Sequence, residues 1–166
     1  MLRLSIVIYA IPYFENEVCF IPPCARSSAS HKGIEPAAFI SISEFARYMI
    51  PDEHGESTIC NIYYDTPDFR LIRRSLEKPV YKEKLRLRSY GTASKDEKVF
   101  LELKKKYKGI VYKRRISLNC DEAQEILENG ERLTENSQIA KEINYFLDFY
   151  GDIFPAVYLC YDRTAY

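Results

Sequence analysis

The stretch KLRLRSYG, Lys84 to Gly91, alternates without a slip: Lys84, Arg86 and Arg88 fall on one side, Leu85 and Leu87 on the other. A strict period of two commits these residues to a β-strand with one buried and one wet face, since a helix would scatter them around its axis. Two further stretches repeat the pattern. In VFLELKKKYKG, Phe100, Glu102, Lys104 and Lys106 share one face, with Val99, Leu101 and Leu103 on the other. In IVYKRRISL, Val111, Lys113, Arg115 and Ser117 fall opposite Tyr112, Arg114, Ile116 and Leu118. Consecutive strands joined by turns this short can pair only antiparallel. Neighbouring strands lie about 4.8 Å apart, so the cationic stripes merge into one patch if their registers match.

The rest of the chain supplies helices and two more strands. AAFISISEFARYMIP reads as a short helix stopped by Pro51. STICNIYYDT is β-branched and aromatic and predicts a strand. DFRLIRRSLE predicts a helix with Asp68 as its cap, with Phe69, Ile72 and Leu76 at helical spacing. In NCDEAQEILENG, Asp121 is placed to cap, Ala123, Ile126 and Leu127 face inward, and Gly130 suits the C-terminal end. SQIAKEINYFLDFYG is a longer amphipathic helix, and AVYLCYDRTAY a final strand. The expected class is α+β: an antiparallel sheet with flanking helices. Residues 1–36 show no sustained period and are set apart from a domain at 37–166.

The 166 residues carry 24 Lys/Arg and 24 Asp/Glu, but unevenly. Between Arg70 and Arg115 there are 17 Lys/Arg against 5 Asp/Glu, a balance of +12, and the remainder is −12. A strongly basic middle points to an anionic partner. Side chains at i and i+2 are roughly 7 Å apart on a strand, so each like pair costs on the order of 2 kcal/mol at an effective dielectric of about 20. The plain alternative is a solvated sheet face on which Lys blunts edges. It accounts for any single lysine better than for the set, because solvated faces intersperse Glu with Lys. Arg suits phosphate, since its planar fork engages two oxygens at once.

Nucleic acid fits less well. No helix-turn-helix, zinc finger or RNP-type aromatic signature is present, and the 14 tyrosines are spread over the whole chain. Glu102, on the cationic face two residues from Lys104, suits either a divalent metal bridging phosphates or a plain cross-strand salt bridge. Five cysteines without a CxxC pair indicate neither zinc nor a disulfide framework, and free thiols in a reducing, cytoplasmic setting are expected. No apolar run is long enough to span a membrane as a helix.

IYYDTPDF, EKLRLRSYG, FLELKKKYKGIVYKRR and YDRTAY, in that order from about Ala46 to Tyr166, together resemble the VTC domain. This is the polyphosphate polymerase domain of the vacuolar transporter chaperone family and its bacterial relatives, a branch of the triphosphate tunnel metalloenzymes. The resemblance implies an antiparallel β-barrel whose lumen binds ATP with Mn²⁺ or Mg²⁺ and transfers the γ-phosphate to a polyphosphate chain. By position, Arg86, Arg88, Lys104, Lys113 and Arg163 would be the catalytic tunnel residues. Lys84, Lys106 and Arg115 would join them in holding phosphate, and Glu102 would face the metal. On this reading the like charges repel until a polyanion arrives.

The family pattern has further strands before and after those recognised here, so a fragment with an incomplete barrel wall is expected. The strands at 59–64 and 157–161 would then have unpaired edges. Three functions stay open: a phosphate-transferring enzyme (polymerase or triphosphate hydrolase), a polyphosphate- or nucleotide-binding module without turnover, and, last, a nucleic-acid-binding sheet.

Overall fold

The computed structural model describes the backbone of residues 6–10 and, beyond it, residues 50, 53 and 55–164. The helix expected within 37–51 lies outside the described residues. The elements are β1 (Ile6–Ala10), β2 (Glu56–Asp65), α1 (Arg70–Leu76), β3 (Tyr81–Tyr90), β4 (Lys98–Tyr107), β5 (Ile110–Asn119), α2 (Cys120–Glu128), α3 (Gln138–Tyr150) and β6 (Phe154–Thr164). The strands form one sheet in the order β1-β6-β2-β3-β4-β5, every pairing antiparallel. The expected α+β class and antiparallel sheet are present. Among the described residues the edges β1 and β5 do not join, so the sheet is an open wall, the incomplete form of a barrel.

Two expectations about edges need correction. β2 lies between β6 and β3, and β6 between β1 and β2, so neither has a free edge. β6 pairs with β2 from Glu56↔Thr164 to Asp65↔Phe154 and with β1 from Ile6↔Tyr161 to Ala10↔Val157. The strand β1 falls in the segment where the sequence showed no sustained period. Pro155 is tolerated inside β6 because the register shifts beside it, between Tyr63 and Tyr64.

Local chemistry explains the hairpins. β4 turns into β5 through Lys108 (φ 47°) and Gly109 (φ 86°). Two consecutive positive φ values make a two-residue turn whose twist matches the strands. On one face of the sheet Leu85, Leu87, Val99, Leu101, Leu103 and Ile116 are buried together with Ala123, Ile126 and Leu127 of α2 and Ala140, Ile143, Phe146 and Leu147 of α3. Truncating such a side chain to Ala typically costs 2–5 kcal/mol. The opposite face carries the even-numbered cations of β3 and β4, with Lys104 and Lys106 exposed, Lys82, Lys84 and Arg86 half-buried and Arg88 buried.

The helix starts differ from expectation. Asp68 does not cap α1. Asp65, only 5% exposed, accepts from the Thr66 and Leu71 N–H groups through Oδ1 (2.8 and 2.9 Å) and from Ile72 through Oδ2 (3.0 Å). Thr66 Oγ1 accepts from Arg70 N–H (2.9 Å) and donates to Asp68 (2.6 Å). The reason is Phe69, which adopts a left-handed conformation (φ 57°, ψ 38°) and bends the chain so that the strand-end carboxylate, not Asp68, meets the helix. Leu71 is the buried residue of α1, and Phe69, Ile72 and Leu76 are exposed. Likewise Asn119, not Asp121, is the N-cap of α2, and Glu122 accepts from its N–H at 2.9 Å. Ser137 caps α3 by accepting from Ala140 N–H at 3.1 Å.

Candidate anion-binding site

Register turns the alternation into rows. Tyr63, Arg86, Glu102 and Arg115 lie side by side across β2, β3, β4 and β5. Two residues along, Lys84, Lys104 and Lys113 form the next row, and beyond them lie Lys82, Lys106 and Val111. On the other side of Glu102, Asn61, Arg88, Phe100 and Ser117 form a fourth. The registers thus match, and the three stripes make one surface.

Glu102 sits at its centre with 0% exposure. Its Oε2 accepts from Arg86 Nε (2.6 Å) and faces Arg86 Nη2 (2.6 Å). Its Oε1 accepts from Arg115 Nε (2.6 Å), pairs with Arg115 Nη2 and lies 3.1 Å from Lys113 Nζ. Burial pushes the carboxyl pKa up, but the bonds from Arg115, Arg86 and Lys113 win and hold it at about 2. Arg86 also donates to the Tyr63 hydroxyl (3.0 Å), and the Arg115 guanidinium lies 4.5 Å from the centre of the Phe100 ring. Three cations thus share one carboxylate, so their fork and ammonium groups are partly engaged while the cluster stays net positive.

The lysine rows have still less compensation, Lys113 alone among them reaching Glu102. Among the described residues, the side chains of Lys84, Lys104 and Lys106 have no hydrogen-bond or ion-pair partner. Like charges directly opposite each other across strands destabilise a sheet, yet Lys84 and Lys104 are such a pair. With Lys82, Arg86 and Lys106 they line a concavity of about 290 Å³ floored by Tyr63. Lys82 is steadied by Ser75, 3.2 Å from both its carbonyl and its hydroxyl. The opposite face shows the contrast: Lys105 and Arg114 are both paired with Glu142 of α3, at 3.0 and 3.3 Å.

The other expected site residues divide. Arg88 is 8% exposed and donates to Asn61 Oδ1 at 2.8 Å, so it is built into the wall. Arg115 belongs to the Glu102 cluster. Arg163 is on the same face but opposite Ser57, six positions along β2 from Tyr63 and so about 20 Å from Arg86's row. Tyr63, Asn61 and Ser75 were missed by sequence reasoning. The alternation of STICNIYYDT places Asn61 and Tyr63 on one face, a signal that shows only once the strand's partner is known.

A family model of the VTC domain matches residues 18–166. The chain belongs to the VTC-domain family. The match covers all four motifs that carry the resemblance and begins earlier than residue 37. No curated protein matches the chain. VTC domains are associated with polyphosphate polymerase activity. The metal expected on the cationic face does not fit Glu102: both oxygens are taken by three cations, whose charge repels a divalent ion. Among the described residues no group of three or more His, Cys, Asp or Glu is placed to hold a metal. No helix among them is long and apolar enough to cross a membrane.

Proposed function

We propose that this VTC domain binds nucleoside triphosphate and polyphosphate chains along the lysine rows and transfers the γ-phosphoryl group from one to the other. The observation that carries the reading is the row Lys84–Lys104–Lys113 with Lys106 beside it, cations juxtaposed on a one-sided sheet and, apart from Lys113, unpaired among the described residues. Phosphoryl transfer asks a protein chiefly for positioning and charge neutralisation. In the reaction a terminal phosphate oxygen of the chain attacks the γ-phosphorus of ATP. One P–O bond forms, the bond to the β-phosphate oxygen breaks, and ADP leaves. The lysines draw the two anions together, and Glu102 holds Arg86 and Arg115 in the adjacent row. Binding without turnover is the second reading, favoured by the engagement of both Glu102 oxygens with Arg86, Arg115 and Lys113.

The test has two parts. Tripolyphosphate is displaced from the protein by ATP and long-chain polyphosphate, but poorly by duplex DNA at equal charge and fixed salt, because a wide rod cannot follow the concavity. Efficient displacement by DNA would refute the site. Incubation with ATP and Mn²⁺, with products resolved on a gel, separates the readings: long chains support transfer, and their absence with intact tripolyphosphate binding leaves the binding module.

A further inference from the structure

Beside the basic concavity lies a second pocket of about 250 Å³, lined by Tyr63, Phe69, Ile72, Ala156, Val157 and Lys84. Two of these residues, Tyr63 and Lys84, also line the basic concavity, so the two hollows are neighbours. Their chemistry is opposite: lysine rows on one side, aliphatic and aromatic surface on the other. A ligand that spans both is anionic at one end and flat and apolar at the other.

Phe69 gives the second hollow its character. Its backbone is left-handed (φ 57°), a conformation a bulky residue holds only when its surroundings over-determine it. Here the hydrogen bond from Phe69 N–H to Thr66 carbonyl (2.8 Å) and the Asp65 contacts to α1 fix it. The ring packs edge-to-face on Phe154 at 5.7 Å and remains 45% exposed. The pocket's carboxylate, Asp65, already accepts from three backbone N–H groups and is not free to read a ligand. The lining therefore offers chiefly aromatic and apolar contact, with the Tyr63 and Tyr64 hydroxyls and the Lys84 amine as its other polar groups.

We infer that this pocket takes the nucleobase of a nucleoside triphosphate whose phosphates lie on the lysine rows, and that it accepts purines with little discrimination between them. The inference rests on the phosphate reading above. Base–aromatic stacking is tolerant of base identity, because every base has a π-face, and it adds about tenfold to affinity.

The experiment compares ATP, GTP and UTP with methyl triphosphate, which has the same triphosphate ester and no base. In the unmodified protein ATP and GTP bind within about threefold of each other and about tenfold more tightly than methyl triphosphate, with UTP between. Phe69→Gly, which removes the ring and suits the left-handed backbone, brings the ATP to methyl triphosphate ratio near one without changing methyl triphosphate binding. Ile72→Asn, at an exposed position of the same pocket, lowers the ratio in the same direction should the glycine variant not fold. Equal binding of ATP and methyl triphosphate, or a ratio untouched by the variants, overturns the base pocket and leaves the phosphate site standing. Failure of methyl triphosphate and tripolyphosphate to bind at all overturns the phosphate reading itself. A strong preference for one purine would show recognition by hydrogen bonds and not by stacking and would also overturn the inference.

Discussion

Replacing Glu102 by Gln separates the structural from the metal-binding account of this residue. The carboxyl is held at about 2 against an ordinary 4.5. One pKa unit is about 1.4 kcal/mol, so the charged form is stabilised by roughly 3 kcal/mol in the folded state. Removing one member of a buried ion cluster typically costs 3–5 kcal/mol, because the partners are left uncompensated. Glu102→Gln is thus expected to lower unfolding free energy by about 3 kcal/mol at pH 7, measured by urea denaturation. The sign with pH follows from a depressed folded-state pKa: the stabilisation is present above about 4.5 and lost as pH falls toward about 2. The gap between wild type and variant should therefore narrow between pH 5 and pH 3. Freed from Glu102, Arg86, Arg115 and Lys113 are available to phosphate, so tripolyphosphate should bind the variant more tightly. A loss below about 1 kcal/mol, a gap that does not change with pH, or weaker binding would refute the reasoning.

Other outcomes follow from the same geometry. Lys105→Ala, on the helix-covered face, should leave tripolyphosphate affinity unchanged and cost at most about 1 kcal/mol in denaturant unfolding, as expected for a partly exposed pair with Glu142. Asp65→Ala should destabilise by about 1–3 kcal/mol, since three N–H groups of the turn and α1 lose their acceptor. Asp68→Ala, which removes only a bond from Thr66, should cost less than half of that by the same thermal or urea melt.

How much of this was legible in the sequence depended on how local each determinant is. The three strands from Tyr81 to Asn119 were readable because alternation is a property of neighbours, and the Lys108–Gly109 turn fixes their pairing. The helices at Cys120 and Gln138 were readable from spacing. The Asp65 cap was not, because it depends on the left-handed Phe69, which no propensity anticipates. The pairing of β6 with β2 joins residues about a hundred positions apart, that with β1 about a hundred and fifty, and neither leaves a local trace. At the site, parity placed Lys84, Arg86, Glu102, Lys104, Lys113 and Arg115 on one face. Register decided the rest: two positions along, Glu102 would have met Lys84, which is now open. Arg163 shows the same limit, correct in face and distant in row.

The central claim is that the open lysine rows, and not the arginines already bound to Glu102 and Asn61, bind condensed phosphate. The most direct measurement is calorimetric titration of orthophosphate, pyrophosphate, tripolyphosphate and longer chains into wild type, Lys84→Ala, Lys104→Ala and Arg88→Ala at fixed salt. Affinity should rise with chain length and level off once the chain spans the rows. Each lysine variant should lose about 1–3 kcal/mol for tripolyphosphate, the range for a hydrogen bond to a charged group, with little loss for Arg88→Ala. Equal losses at all three positions, or affinity independent of chain length, would contradict the account.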